Sequence, residues 1–228
     1  MKRTKTFWGA LLACGLAAST PSRASASGFE VRLGGMRPAA KSILFDDSVV
    51  LYNLEKHDFQ GGFGGVEFTK GIARNIELGF SVDGYAREIP TSYREFTRPS
   101  GRDIQQTLRL VVVPVSALVR LVPGGRYTRF APYVGAGVSA ISWQYEEFGD
   151  FIDFDRRDRP IVADSFKSKG TTLGLVLNAG LRFRINEDFQ AVVDFRNFSG
   201  KENMSGDFAP NEIDVSGAAL SIGVRLRF

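Results

Sequence analysis

The stretch from Ala218 to Phe228 constrains this chain most. It reads Ala-Ala-Leu-Ser-Ile-Gly-Val-Arg-Leu-Arg-Phe, a strict two-residue alternation. Ala218, Leu220, Ile222, Val224, Leu226 and Phe228 fall on one face, and Ala219, Ser221, Gly223, Arg225 and Arg227 on the other. Period two is the signature of a β-strand with one apolar face. An apolar face opposite arginines suits a strand that turns one side to lipid and the other to a polar lumen.

The amino-terminus is consistent with an exported chain. Lys2, Arg3 and Lys5 precede an apolar run from Phe7 to Ala18, and Ala24-Ser25-Ala26 supplies a small-x-small cleavage pattern. We read residues 1–26 as a secretory signal and 27–228 as one barrel domain. Leu11-Leu12-Ala13-Cys14 offers a competing lipobox reading, in which Cys14 becomes a lipidated first residue. Four of the 29 Lys and Arg residues lie in the signal, which has no acidic residue; without them, 25 basic residues face 25 acidic ones. The mature chain is formally neutral, so composition gives no motive for nucleic-acid binding. Cys14 is the single cysteine and His57 the single histidine. Disulfides and His-rich metal sites are thereby excluded from the mature chain, and no cofactor or metal is expected.

After the signal, no apolar run is long enough for a membrane-spanning helix. Only a closed barrel can then cross a bilayer, because lipid satisfies no backbone hydrogen bonds. Alternation predicts eight strands, at about 29–36, 59–69, 75–86, 105–121, 131–146, 171–185, 189–198 and 218–228. The fourth is almost continuously apolar, its facing is open, and Pro114 in its middle is awkward for a ladder. Short connections lie near Gly71, at Pro123-Gly124-Gly125 and at Asn186-Glu187. Long polar ones are expected at about 37–58, 87–104, 147–168 and 199–213. Short turns at one end and long loops at the other predict an all-β fold. It is an eight-stranded antiparallel up-and-down transmembrane β-barrel with short periplasmic turns and long extracellular loops. Within the first loop, Ile43-Leu44-Phe45 and Val49-Val50-Leu51-Tyr52 are apolar enough for a short helix or a strand extension.

The opening Pro132-Tyr133-Val134-Gly135-Ala136-Gly137, the run Asn178-Ala179-Gly180-Leu181-Arg182-Phe183 before the Asn186-Glu187 turn, and the Gly223 to Phe228 ending resemble a known family. It is the family of small bacterial outer-membrane barrels that includes the OmpA transmembrane domain, OmpX and OmpW. The resemblance implies an outer-membrane location and a closing strand read by the insertion machinery, with Gly223, Leu226 and Phe228 as its signal. It also implies lipid and lipopolysaccharide as surroundings, and a monomer.

Inward positions on the predicted strands carry Glu30, Arg32, Glu67, Glu77, Asp83, Arg182, Arg184, Asp194, Arg196, Arg225 and Arg227. An eight-stranded barrel is just wide enough for side chains to fill, and opposite buried charges must pair. The expectation is a lumen plugged by charge pairs and a structural or surface role. Alternatives are an OmpW-like passage for small hydrophobic molecules and, less favoured, a rim enzyme using His57 with Asp47-Ser48 or Asp164-Ser165. The acidic residues around Glu146 do not have EF-hand spacing. Tyr133, Trp143 and Tyr145 are expected in interfacial aromatic belts.

Overall fold

A computed structural model describes residues 27–125, 128–154 and 156–228; the signal and Cys14 assignments, and Asp155 of the third loop, lie outside them. Eight strands close into one antiparallel barrel: β1 (Ser27–Pro38), β2 (Gly61–Ala73), β3 (Ile76–Thr97), β4 (Asp103–Leu121), β5 (Phe130–Ile152), β6 (Ile161–Arg184), β7 (Phe189–Ser199) and β10 (Gly217–Arg227). Two short strands, β8 (Lys201–Asn203) and β9 (Glu212–Asp214), pair with each other in the last long connection. One α-helix, α1 (Ile43–Leu51), and a 3-10 turn at Lys56–Phe59 lie in the first.

The terminal strand closes the ring against β1, with Glu30 opposite Arg225 and Val31 opposite Val224. Backbone hydrogen bonds from Ser27 N–H to Phe228 O (2.9 Å) and back (3.1 Å) finish the seam. Alternation then sorts every strand. Val31, Leu33, Phe80, Val115, Val138, Leu173, Val193 and Ile222 are exposed on the outer surface, while their sequence neighbours point inward. On β3 the apolar outer face runs from Ile76 to Ala86, which spans about 26 Å along the membrane normal at a tilt of ~40°. That matches the thickness of an outer-membrane apolar band. Directly above it, one cross-strand row reads Glu88, Arg109, Glu146, Lys167. This charged row marks where lipid tails give way to headgroups.

Two expected loops are instead strand. β3 and β4 run on to Thr97 and from Asp103, and β5 and β6 run to Ile152 and from Ile161, so most of 87–104 and 147–168 is paired. Above the membrane the outer face meets water and turns polar, which erases the apolar-out signal. The inner face stays apolar through Ile89, Tyr93, Ile104 and Phe151, all buried. The barrel is therefore lopsided: β3 to β6 form a tall wall, while β1, β2, β7 and β10 stop near the membrane surface.

The open facing of β4 is now set: Ile104, Gln106, Leu108, Leu110, Val112, Ser116, Leu118 and Arg120 are inside. Pro114 keeps its place opposite Ile141 on β5. On the β3 side the paired residues skip from Val82–Val115 to Tyr85–Val112. Proline has no N–H for a ladder, and the gap falls beside it.

Candidate functional site

The lumen is divided into two chemically different halves. The periplasmic half holds Arg32, Arg120, Arg182, Arg196 and Arg225 against Glu30, Glu67, Glu77, Asp83 and Asp194, all buried. Five cations thus meet five anions. Arg32 donates to Glu30 (2.8 Å), Glu67 (3.0 Å) and Asp83 (2.7 Å). Arg196 reaches Asp83 (2.8 Å) and Asp194 (2.6 Å) and also contacts Glu67. Arg120 donates to the same Glu67 at 2.7 Å, so one carboxylate serves three guanidinium groups. A second group joins Arg182 to Glu77 (2.7 Å), with Arg225 at 3.6 Å from that carboxylate and 2.6 Å from the Thr69 hydroxyl.

Tyr133 ties the two groups together. Its ring lies between the guanidinium carbons of Arg120 (4.7 Å) and Arg182 (4.6 Å), a doubled cation–π contact. Its hydroxyl donates to Asp194 at 2.6 Å. Asn178 adds a bond to the same carboxylate at 3.2 Å. A buried charge removed from its partner is costly, so each member holds the others in register across strands far apart in sequence.

Of the predicted lumen residues, nine are gathered here. Two are not: Arg184 is exposed and Arg227 only half-buried. Both have inward parity, but they sit at the last paired rows of the periplasmic rim, Arg184 opposite Gln190 and Arg227 opposite Gly28, where water reaches them. Two members escaped the sequence reading. Arg120 was hidden by the open facing of its strand, although a lone arginine at the end of an apolar strand is itself a facing signal. Tyr133 was expected in an aromatic belt, as were Trp143 and Tyr145, and all three point inward and are buried. Parity with Ser139 and Ile141 on β5 carries the correct facing.

The extracellular half is apolar, and here the expectation of a lumen filled by charge pairs is corrected. Phe63, Leu108, Leu110, Val112, Ile141, Tyr145, Val176 and Phe198 line it. The mouth is stoppered by α1 and its flanks: Phe45 and Phe59 stack edge-to-face at 5.0 Å, and Phe45 meets Tyr145 at 6.3 Å. Ile213 and Val215 of the last connection pack into the same core. Within it Glu147 accepts from Tyr52 (3.0 Å) and Tyr145 (2.7 Å), and among the described residues it has no salt-bridge partner. Burial raises the Glu147 pKa, and the two tyrosine bonds oppose that rise less strongly.

The rim residues proposed for catalysis do not form a triad. His57 is exposed and contacts Glu55 (3.0 Å) and Asp58 (3.4 Å). The Ser48 hydroxyl is buried and donates to the Leu44 carbonyl at 2.7 Å. Asp164 accepts from the backbone N–H of its neighbour Ser165 at the top of β6. Among the described residues, no group of three or more His, Cys, Asp and Glu side chains is arranged to hold a metal ion.

A closed ring with a lipid-facing apolar band and a polar, self-neutralised floor defines a transmembrane β-barrel of the bacterial outer membrane. The chain belongs to the family of the outer membrane protein beta-barrel domain, whose model matches residues 9–228. Its fold is similar to that of the outer membrane protein OprG from Pseudomonas aeruginosa, at TM-score 0.55 and 16% identity, over 89% of this chain and 96% of that one. Neisserial surface protein A is similar at TM-score 0.49 and 14% identity, over 90% and 96%. The Escherichia coli outer membrane protein W is similar at TM-score 0.40 and 20% identity, over 89% and 98%. No curated protein matches the chain.

Proposed function

We propose that this protein is a non-enzymatic, axially closed barrel that serves the outer membrane as a structural and surface-interaction component. The neutral five-to-five charge network across the periplasmic half carries this reading. Arg32, Arg120, Arg182 and Arg196 are fully buried there, and an eight-stranded barrel leaves little room beyond its own side chains. Work at the surface then falls to the tall wall and the two capping connections. In this reading residues 1–26 are cleaved near Ala26, and the insertion machinery reads Gly223, Leu226 and Phe228 at the exposed end of β10. The single chain sits among outer-membrane lipid and lipopolysaccharide, with no nucleic-acid partner. Planar-bilayer recording of the refolded mature chain tests closure. No steady conductance is expected, and reproducible open channels would overturn it.

A second reading, passage of small hydrophobic molecules, is favoured by the apolar upper chamber and the ladder gap at Pro114. A molecule displacing Phe45 from outside finds a charged floor beneath it, so its exit lies sideways through the β3–β4 seam into the membrane. Uptake of an uncharged lipophilic dye into proteoliposomes checks this. Pro114→Ala restores a ladder donor and should slow uptake severalfold. Equal uptake by wild type and by protein-free vesicles would sink the reading.

A further inference from the structure

At the periplasmic mouth of the lumen, one cross-strand row carries three arginines. Arg184 of β6 stands opposite Gln190 of β7, and Gln190 stands opposite Arg225 of β10. On the other side, the Arg184 N–H donates to the Arg129 carbonyl at 2.9 Å, one position beyond the paired Phe130 and Phe183. Arg129 and Arg184 therefore lie directly across from each other. Both share the inward parity of their buried neighbours Ala131, Tyr133 and Arg182. Like charges set opposite on one face of a sheet repel. Among the described residues, no carboxylate forms a salt bridge with either guanidinium. The carboxylates of the β6–β7 turn, Glu187 and Asp188, are exposed and pair with neither.

The charge behind this pair has the same sign. Arg182 and Arg225 share one carboxylate, Glu77, at 2.7 and 3.6 Å. The five-to-five balance of the floor is thus uneven, and its lowest group is left with a surplus cation. Glu30, next in the row beyond Arg225, is engaged by Arg32 at 2.8 Å. Arg182 is only 1% exposed, yet its Nε and Nη2 have no hydrogen-bond partner, and Nε of the buried Arg225 has none either. Buried polar groups in native folds are hydrogen-bonded, and an exception calls for an explanation. Unpaired cations at the rim and unsatisfied donors behind them, on one face of adjoining strands, are both answered by an external anion. A guanidinium fork presents parallel N–H groups that match two oxygens of a phosphate. Several forks around one mouth suit an oxyanion better than a halide.

We propose that the periplasmic mouth binds a phosphate oxyanion, with Arg129 and Arg184 as the gripping pair and Arg182 and Arg225 supplying positive charge behind them. The site lies at the end opposite the tall wall, so it adds to the closed-barrel reading and does not depend on it. The Arg129 guanidinium carbon lies 5.5 Å from the centre of the Phe183 ring. Phe183 packs on Phe130 at 5.1 Å, and Phe130 is exposed on the lipid-facing side. The pair therefore sits where the rim of the lumen meets the headgroups of the inner leaflet. The phosphate can come from an anionic phospholipid of that leaflet or from a soluble phosphorylated molecule of the periplasm.

The test uses the refolded mature chain in maltoside micelles, which contain no phosphate. Native mass spectrometry with added phosphatidylglycerol or diacylglycerol of matched acyl chains reads the lipid source. Calorimetric titration with glycerol phosphate reads the soluble one. Phosphatidylglycerol should be retained about tenfold over diacylglycerol, the factor expected of one charge-assisted hydrogen bond. The double variant Arg129→Gln with Arg184→Gln should remove that preference. Lys70→Gln deletes another exposed cation at the same end of the barrel and should leave it unchanged. Lipid retention without saturable binding of glycerol phosphate assigns the site to a headgroup. Saturable binding of glycerol phosphate that the double variant loses shows that a soluble phosphate is enough. Absence of both, or a double variant that behaves as wild type, would overturn the proposal. An equal loss in Lys70→Gln would also overturn it, because the attraction would then be diffuse rim charge and not a site. Heat-modifiable gel migration shows that each variant is folded.

Discussion

Glu147 shows how much one residue's surroundings can override its chemistry. It lies in a strand whose neighbours on the inner face are tyrosines and aliphatic side chains, and its two hydrogen bonds come from phenols rather than from a cation. The groups acting on it are Tyr52 of the first connection, Tyr93 of β3 and Tyr145 of its own strand, with Ser48 set against Tyr145 and Gln106 against Tyr52. A carboxyl held above its ordinary pKa favours the protonated form in the folded state. Its contribution to seating the first connection is complete below the usual glutamate range and is lost as pH rises through the raised value. A fluorophore placed by Val50→Cys in a chain of residues 27–228, which has no other cysteine, should lose anisotropy as pH rises. Glu147→Gln should hold the anisotropy level across the same range. A titration that persists in the Gln variant would assign it to another group.

At the scale of an element, α1 is held by what it buries. It has no side-chain cap at Ser42, carries β-branched Val49 and Val50, and is nine residues long. Helices this short are marginal alone. Phe45 is fully buried between Phe59 and Tyr145, so Phe45→Ala should cost about 3–5 kcal/mol of local stability. That loss belongs to the stopper and not to the ring, whose hydrogen bonds are untouched. Limited proteolysis should therefore cut the segment between β1 and β2 faster, while the heat-modifiable gel shift is unchanged. Loss of both would mean that α1 is integral to the barrel. Sequence had left this apolar stretch open between a helix and a strand extension. Both occur in turn: Ile43–Leu51 is helix, and Tyr52 then forms an antiparallel bridge with Tyr93 on the edge of β3.

At the scale of the whole molecule, the charge network acts as a cross-brace. Glu67 on β2 meets arginines from the neighbouring β1 and from β4 and β7, which no ladder joins directly to β2. Glu67→Gln leaves those three arginines short of an anion, and removing one partner from a buried pair costs about 3–5 kcal/mol. Urea unfolding in micelles, followed by fluorescence of Trp143, should shift to lower denaturant by that amount. Conductance should remain absent, since the side chains still fill the lumen. A variant as stable as wild type would show that the arginines find other partners.

Facing was legible wherever a charged residue interrupted an apolar strand, as in Glu30 and Arg32, Glu77 and Asp83, or Asp194 and Arg196. It was illegible on β4, where apolar residues occupy both faces because lipid lies outside and an apolar chamber inside. The sequence alone determined the number of strands, their order and the polar character of the periplasmic lumen, since these follow from a period of two and from the cost of charge in lipid. Only the tertiary structure decided the height of the wall, the division of the lumen and the row that sets Arg184 between Arg129 and Gln190 at the periplasmic mouth. Those depend on which residues of distant strands share a level. That level is set by the stagger of the closed ring, which no single strand contains.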